Sequence, residues 1–193
     1  MESSLKNMVL SLLSVTVVAS ASVGYVYQLT AAPIAAAKEQ ATQSALKMVL
    51  PEFDANVISD LMIDDLQTVV YTASKSNEVI GYAVKSISNQ GYAGAITLMV
   101  GIAPNGDLLD VSVLSQNETP GLGSKMKDAD NSLIKSVKGR NISKLDLRVK
   151  KDGGDIDALT GATISSRAYG DAIARAYKAV DQVKLAKKGA NNE

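Results

Sequence analysis

The longest apolar stretch of the chain lies near its N-terminus, where no charged residue occurs over residues 8–29. At a rise of about 1.5 Å per residue, a helix over this stretch covers a hydrocarbon core about 30 Å thick. Lys6 precedes the stretch and the next basic residue is Lys38, a bias that favours a cytoplasmic N-terminus. The pattern predicts a single transmembrane anchor over residues 1–30, embedded in the lipid of the cytoplasmic (inner) membrane, with the remaining chain on the extracytoplasmic side.

The same stretch also has the features of a cleaved signal peptide. Residues 8–18 would form its apolar core, and Ala19-Ser20-Ala21 has the small residues of a cleavage site. The apolar run continues beyond this point to Leu29, which a cleaved leader does not require. Both interpretations export the rest of the chain.

Beyond the anchor, the pattern predicts a helix followed by two β-hairpins. Residues 35–50 are mainly good helix formers and end before a proline, which indicates a helical connector over residues 31–50. Two pairs of β-prone runs follow, each joined by turn-forming residues. The first pair comprises residues 66–74 and 78–88, and the second comprises residues 95–103 and 108–115.

The remaining part of the chain predicts two helices with a short strand between them. Apolar residues recur at helical spacing over residues 126–137 and alternate as in a strand over residues 145–149. A second helical stripe begins near Thr163 and runs to about Leu185. The stripe comprises Ile164, Ala168, Ala172, Ile173, Ala176, Tyr177 and Val180. The order predicts an α+β fold, in which an antiparallel sheet packs with helices in one domain over residues 51–193, preceded by the transmembrane helix.

Composition narrows the possible chemistry. The chain has 20 basic and 20 acidic residues, so it has no net field that would attract nucleic acid. It contains neither Cys nor His, which removes thiolate nucleophiles, disulfides, iron–sulfur ligation and the commonest zinc and haem ligands. We therefore expect no nucleic-acid partner and no metal site, and any redox chemistry must come from an organic cofactor.

A cluster of small and hydroxylated residues spans the start of the last predicted helix. Residues 157–166 read Asp-Ala-Leu-Thr-Gly-Ala-Thr-Ile-Ser-Ser. Taken alone, the hydroxyls of Thr163, Ser165 and Ser166 predict capping of the helix start. The free N–H groups and the dipole at the same end of the helix also favour a phosphate.

Two further motifs precede this cluster, and the three motifs are interpreted together. Residues 91–96 read Gly-Tyr-Ala-Gly-Ala-Ile, and residues 116–123 read Gln-Asn-Glu-Thr-Pro-Gly-Leu-Gly. Together, and in this order, the three motifs resemble the FMN-binding domain family, which includes the G subunit of Rnf electron-transport complexes and the C subunit of sodium-translocating NADH:quinone reductases. Two departures are Ala95, where relatives often have Pro, and Gln116, where the residue is often His.

The resemblance implies a covalent cofactor. Residues 157–163 match the family's flavinylation motif, Asp-x-x-(Ser/Thr)-Gly-Ala-Thr, in which a flavin transferase moves the FMN part of FAD onto the final threonine hydroxyl as a phosphoester. By resemblance, Thr163 is the attachment residue, Thr160, Gly161 and Ala162 shape the loop, and Asp157 serves recognition or attachment.

The other two motifs imply contacts to the flavin. By resemblance, Glu118 and Thr119 offer polar contacts, Leu122 offers an apolar contact, and Gly121 and Gly123 allow close backbone approach. Tyr92 borders the flavin or is a tyrosine at the edge of the core, and Ser165 completes the cofactor-binding set. No catalytic residue is expected.

The function implied by the resemblance is electron transfer within a membrane-bound, ion-translocating (Rnf-type ferredoxin:NAD) oxidoreductase complex. The other membrane subunits and the flavin transferase are the expected partners, and the chain is a redox subunit rather than a self-contained enzyme. One alternative is the C subunit of the quinone reductase, which usually has a longer chain. Others are a stand-alone extracytoplasmic flavin-dependent electron carrier and a tethered binding domain whose threonine is never modified.

Overall fold

The structure is a computed structural model that describes residues 4–190 of the chain. The described residues contain three α-helices: α1 (Leu5–Val49), α2 (Ser132–Val137) and α3 (Thr163–Ala190). They also contain five strands: β1 (Ala55–Ile63), β2 (Leu66–Lys75), β3 (Glu78–Ser88), β4 (Ile96–Ile102) and β5 (Leu108–Ser115). The chain divides into two compact units, Met1–Ala41 and Thr42–Glu193.

The first unit consists of the greater part of α1. The helix has Pro33 within it, and its apolar side chains in this unit are exposed. Among the described residues it is the one helix whose length and composition suffice to cross a membrane. The predicted N-terminal membrane helix and the predicted connector helix are therefore one continuous element.

The second unit is built on a five-stranded antiparallel sheet. Its strands lie in the order β1-β2-β3-β4-β5, so each strand pairs with its neighbours in the sequence. This arrangement confirms the predicted α+β fold class and both predicted hairpins. The sheet also contains β1, which the hydrophobic pattern did not predict.

Backbone conformation explains why the hairpins turn where they do. Ser76 and Asn77 between β2 and β3 have φ values of 50° and 69°, and Asp64 and Asp65 between β1 and β2 have values of 47° and 63°. Two-residue turns of type I′ require positive φ at both central positions, which Asn and Asp tolerate better than most residues. The local sequence thus sets the register of the β1–β2 and β2–β3 hairpins.

Helix α3 begins at the predicted residue, Thr163, and packs across one face of the sheet. Its buried side chains include Ala168, Tyr169, Ala172, Ile173, Ala176 and Val180. The Ser86 hydroxyl donates to the carbonyl oxygen of Ala172 at 2.8 Å, and the Ser88 hydroxyl donates to the carboxylate of Asp171 at 2.7 Å. Ile164, predicted on the buried stripe, is instead exposed, because the first turn of α3 borders a cleft.

The opposite face of the sheet is covered by the last two turns of α1. Leu46 and Val49 are buried there against Ala83 and Met99, which alternate with the residues that face α3. A Cβ at Gly101 would collide with the carbonyl oxygen of Val49, so glycine allows this close approach. The predicted connector over residues 31–50 therefore ends as part of a core, a role its composition did not indicate.

The helix predicted over residues 126–137 is wrong as a single element. The chain forms a 3₁₀ turn at Gly123–Lys127, leaves helical geometry, and resumes it in α2. The side chain of Asn131 accepts a hydrogen bond from the N–H of Ile134 at 3.0 Å and thereby caps α2. A capping residue inside the apolar stripe marks a new helix start.

The strand predicted over residues 145–149 is also wrong. Its backbone finds partners in the next loop, where the N–H of Asp155 donates to the carbonyl oxygen of Asp146 and Val149 forms an isolated bridge with Ile156. The Arg148 guanidinium hydrogen-bonds the Asp146 carboxylate and lowers the pKa of that carboxyl to about 2. These local polar contacts satisfy the segment without a neighbouring strand.

Candidate functional site

The loops that carry the three sequence motifs meet at the first turn of α3. They enclose a cleft of about 520 Å³, a volume in the range of small-molecule sites. The cleft is lined by Tyr92, Glu118, Thr119, Leu122, Gly123, Gly161, Ala162, Thr163, Ile164 and Ser165. The structure thus brings together most of the residues that the motifs indicated and adds Ile164, which helical periodicity had assigned to the core.

Three predicted residues lie near the cleft without lining it. The carboxylate of Asp157 forms an ion pair with the Lys150 ammonium group at 2.7 Å. The N–H of Gly121 donates to the Ser124 hydroxyl at 2.9 Å, and Thr160 is exposed in the turn before α3. These residues shape or flank the loops instead of facing the cleft.

A tight turn places Thr163 at the start of α3. The N–H of Ala162 donates to the carbonyl oxygen of Leu159 at 3.1 Å, and Gly161 between them has a φ of 74°, which favours glycine. The Ser166 hydroxyl accepts from the N–H of Leu159 at 2.9 Å and donates to the carbonyl oxygen of Ala162 at 2.8 Å. Ser166 therefore fastens the turn to the helix and does not cap the free N–H groups of the first turn, contrary to expectation.

The first turn of α3 presents a free hydroxyl and free donors. Thr163 is half-buried, and within residues 4–190 its hydroxyl has no hydrogen-bond partner. In the same part of the chain, the backbone N–H groups of Ile164 and Ser165 also lack an acceptor, as is usual for the first N–H groups of a helix. Such donors, together with the helix dipole, favour an anionic group.

Glu118 is the buried acidic residue of the site, with 4% of its surface exposed. One carboxylate oxygen, Oε1, accepts from the N–H of Ala93 at 3.0 Å, and the other, Oε2, accepts from the Ser165 hydroxyl. Its own N–H donates to the side-chain oxygen of Gln116. Both oxygens therefore have partners within the protein.

Two glycines allow the loops to approach this carboxylate. A Cβ at Gly91 would collide with the carbonyl oxygen of Gly94 and lie 2.9 Å from Oε1 of Glu118. A Cβ at Gly123 would lie 2.5 Å from the Ser165 hydroxyl and 2.8 Å from Cβ of Glu118. Ordinary carbon contacts begin about 1 Å further out, so both positions require glycine.

The rim of the cleft is apolar and accessible. Tyr92, Leu122 and Ile164 are 69%, 43% and 45% exposed, although each lines the cleft. Clustered exposed apolar side chains are typical of ligand or partner contacts. With the free donors at the start of α3, the arrangement suits a ligand that has an aromatic ring and an anionic group.

Known proteins share this region and much of the remaining chain. The FMN-binding domain family matches residues 91–178. The chain is 33% identical to the G subunit of the ion-translocating oxidoreductase complex of Vibrio cholerae serotype O1 (strain M66-2) over 177 residues, which cover 86% of this chain and 85% of that protein. It is 40% identical to the protein of the same name from Shewanella loihica over 140 residues, 70% of this chain and 66% of that protein. On this similarity, the chain belongs to the family formed by the G subunits of ion-translocating oxidoreductase complexes.

Proposed function

We propose that this chain carries FMN in the cleft, joined to Oγ1 of Thr163 by a phosphoester, and transfers electrons between other subunits of an ion-translocating oxidoreductase complex. The electron-transfer role and the cofactor are supported by family membership and by the match to the FMN-binding domain. The covalent link is supported by one structural observation above the others: within residues 4–190, the Thr163 hydroxyl has no hydrogen-bond partner and lies beside N–H groups of α3 that have no acceptor.

The residues of the cleft fit the two ends of FMN. The free N–H groups of Ile164 and Ser165 suit the phosphate, and the exposed apolar rim suits the aromatic ring system. Bound FMN supplies reversible redox chemistry, and the chain itself contains neither cysteine nor histidine. The protein's own contribution is to hold the attachment hydroxyl, provide donors for the anionic group and leave the rim open to redox partners.

Burial of the neighbouring hydroxyls favours Thr163 over the others in the motif. Ser165 and Ser166 are 2% and 0% exposed, and both hydroxyls are hydrogen-bonded. Thr160 is exposed but lies outside α3 and does not line the cleft. Thr163 is the hydroxyl of this segment that a transferase can reach and that also adjoins the free donors.

The attachment reaction that we propose uses FAD as donor and a flavin transferase as catalyst. Oγ1 of Thr163 attacks the phosphorus on the FMN side of the pyrophosphate. The new O–P bond forms as the P–O bond of the pyrophosphate breaks, AMP leaves, and the threonine proton passes to a base of the transferase. Nucleophilic attack of this kind needs an accessible hydroxyl, which the half-buried Thr163 provides.

We further propose that residues 1–30 anchor the chain in the inner membrane, in contact with lipid, and that residues 51–193 form the flavin domain on the extracytoplasmic side. The length and apolar composition of α1 support the anchor. The position of Lys6 before the apolar stretch, with no further basic residue until Lys38, supports the orientation. Residues 31–50 then connect the two parts.

Covalent attachment is tested with a matched pair of variants. We expect the wild-type chain, co-expressed with a flavin transferase, to fluoresce under ultraviolet light after denaturing electrophoresis. Thr163→Val should abolish the fluorescence and preserve the circular dichroism spectrum, whereas Thr72→Val, the same substitution on β2 and outside the residues that line the cleft, should leave the fluorescence unchanged. Thr163→Ser keeps a hydroxyl and shows whether the transferase requires the methyl group.

Mass spectrometry identifies the modified residue. The tryptic peptide over residues 152–167 contains all four hydroxyls of the segment, so fragmentation of this peptide must locate the added mass. A flavin adduct that persists in Thr163→Val would refute the assignment of the residue. A wild-type chain that remains unmodified beside a transferase active on another substrate would refute the covalent link itself.

A further inference from the structure

Glu118 lies between the two walls of the cleft. One wall carries Tyr92 and is held through the N–H of Ala93, the next residue, at 3.0 Å from Oε1 of Glu118. The other wall is the first turn of α3, held through the Ser165 hydroxyl, which donates to Oε2. Since Ser165 is two residues from Thr163 on the same turn, one carboxylate connects the aromatic rim with the attachment residue.

Two glycines pack closely against Glu118, which lines the cleft on its remaining side. Gly91 on the first wall and Gly123 on the motif loop approach so closely that a Cβ on either would lie within 3.0 Å of an atom of Glu118. The side chain is 4% exposed. A buried carboxylate is stable only when it is hydrogen-bonded, and both of its donors here belong to the walls of the cleft.

We infer that Glu118 is a positioning residue, which holds the Tyr92 wall and the Thr163 turn at a fixed separation, and that it is not a polar ligand of the flavin. This inference rests on the proposed function for its consequence. If the two walls are fixed before the cofactor arrives, the Thr163 hydroxyl is already oriented for transfer, and the rim is already shaped for the ring. Preorganisation of this kind lowers the entropy lost when a reactive group is brought into place.

The test measures the rate of covalent flavin transfer to the full-length chain in detergent, with purified transferase and FAD. Glu118→Ala removes both hydrogen bonds, and we expect transfer to be slower by roughly tenfold or more, since the loss of one hydrogen bond to a charged group already corresponds to about that factor. Glu118→Gln should restore most of the rate, because an amide can accept from Ala93 and donate to Ser165. Rescue by the amide is not expected if the carboxylate's charge contacts the flavin.

Substitution of Ser165, the hydrogen-bond partner of Glu118 on α3, provides a second test. Ser165→Ala should also slow transfer, and its effect should nearly disappear in the Glu118→Ala background, because the two side chains act through one hydrogen bond. The matched control is Ser86→Ala, which removes another serine hydrogen bond between the sheet and α3, to the carbonyl oxygen of Ala172, nine residues along the helix from Thr163. This control should transfer flavin at the wild-type rate.

Amide hydrogen exchange separates failure of this inference from failure of the proposed function. In Glu118→Ala, the Ala93 amide should lose protection whether or not flavin is ever attached, since its acceptor is gone. Wild-type transfer rates in Glu118→Ala, with Ala93 unprotected, would overturn the positioning role. Equal loss of rate in Glu118→Gln and Glu118→Ala would also overturn it and favour a charged contact to the flavin. A wild-type chain that accepts no flavin refutes only the proposed function.

Discussion

Gly123→Ala adds one methyl group at the point where the motif loop meets α3. The new Cβ would lie 2.5 Å from the Ser165 hydroxyl and 3.0 Å from Oε2 of Glu118. An ordinary contact needs roughly 1 Å more, so either the loop moves outward or the Ser165–Glu118 hydrogen bond breaks. The substitution therefore tests whether close packing of these elements holds the cleft.

The expected loss of stability follows from three effects. Overpacking of a close contact costs about 1–3 kcal/mol, and a lost hydrogen bond to a charged group costs about 1.5–3 kcal/mol. Replacement of glycine by alanine restricts the unfolded chain and recovers about 0.4–1 kcal/mol where φ is permissive, and Gly123 lies outside the left-handed region. Because the first two effects are alternative responses to one clash and the third offsets part of either cost, we expect a net destabilisation of about 0.5–2.5 kcal/mol.

Gly121→Ala is the matched control in the same loop. A Cβ at Gly121 would have no atom within 4 Å, but its φ is 77°, so alanine there is strained by about 1–2 kcal/mol without crowding the cleft. Both variants are measured by urea unfolding of the full chain in detergent, followed by circular dichroism of the sheet, and by the yield of covalent flavin. We expect both variants to lose some stability, but Gly123→Ala to lose most of the flavin and Gly121→Ala to retain it. A Gly123→Ala protein with wild-type stability and yield would refute the reasoning.

Two predictions concern the sheet and its two faces. Leu46→Ala should destabilise the second unit by about 2–5 kcal/mol in urea unfolding, because Leu46 is buried against Ala73 and Met99 and its removal leaves a cavity; an unchanged midpoint would show that the end of α1 is not part of the core. Thr72→Val should stabilise the protein by about 1 kcal/mol, because among the described residues the buried Thr72 hydroxyl has no partner; a loss of stability would indicate a partner such as a bound water.

Much of the fold was predictable because its signals are local. The hairpin turns contain residues that tolerate positive φ, and α3 has an uninterrupted apolar stripe, so both were identified from short windows of sequence. Strand β1 was not predicted because its pattern is irregular: Val57, Ile58 and Met62 are exposed, and adjacent apolar residues obscure the period of two. Which side chains of such a strand are buried depends on the elements that cover it, and a short window of sequence does not identify those elements.

The residues between β5 and α3 were mispredicted for a different reason. The apolar residues Met126, Leu133 and Val137 are buried as a helical stripe would require, yet Asn131 caps a new helix between them. Over residues 145–149, hydrogen bonds to the following loop replaced the expected strand pairing. In both segments, polar side chains bond the backbone and override the apolar period.

Most residues that line the cleft were predictable from resemblance, but their hydrogen-bond partners within the protein were not. The motifs indicated Glu118 as a contact to the flavin, and the structure adds that both of its carboxylate oxygens accept hydrogen bonds from the protein. The motifs gave no indication that Ile164 lines the cleft, because its apolar side chain fits the helical stripe equally well. Such distinctions depend on which loops meet at the start of α3.

The hydroxyls at this helix start show how one segment can serve both structure and attachment. Ser166 bonds the preceding turn, and Ser165 bonds Glu118 across the cleft, so the first turn of α3 is held without any contribution from Thr163. On the proposed function, esterification of the threonine hydroxyl therefore breaks no hydrogen bond to any of the described residues. If Thr163 had capped the helix, modification would cost the stability of a cap, about 0.5–2 kcal/mol. On the proposed function, the division of roles among the three hydroxyls allows Thr163→Val to abolish attachment and leave the fold intact.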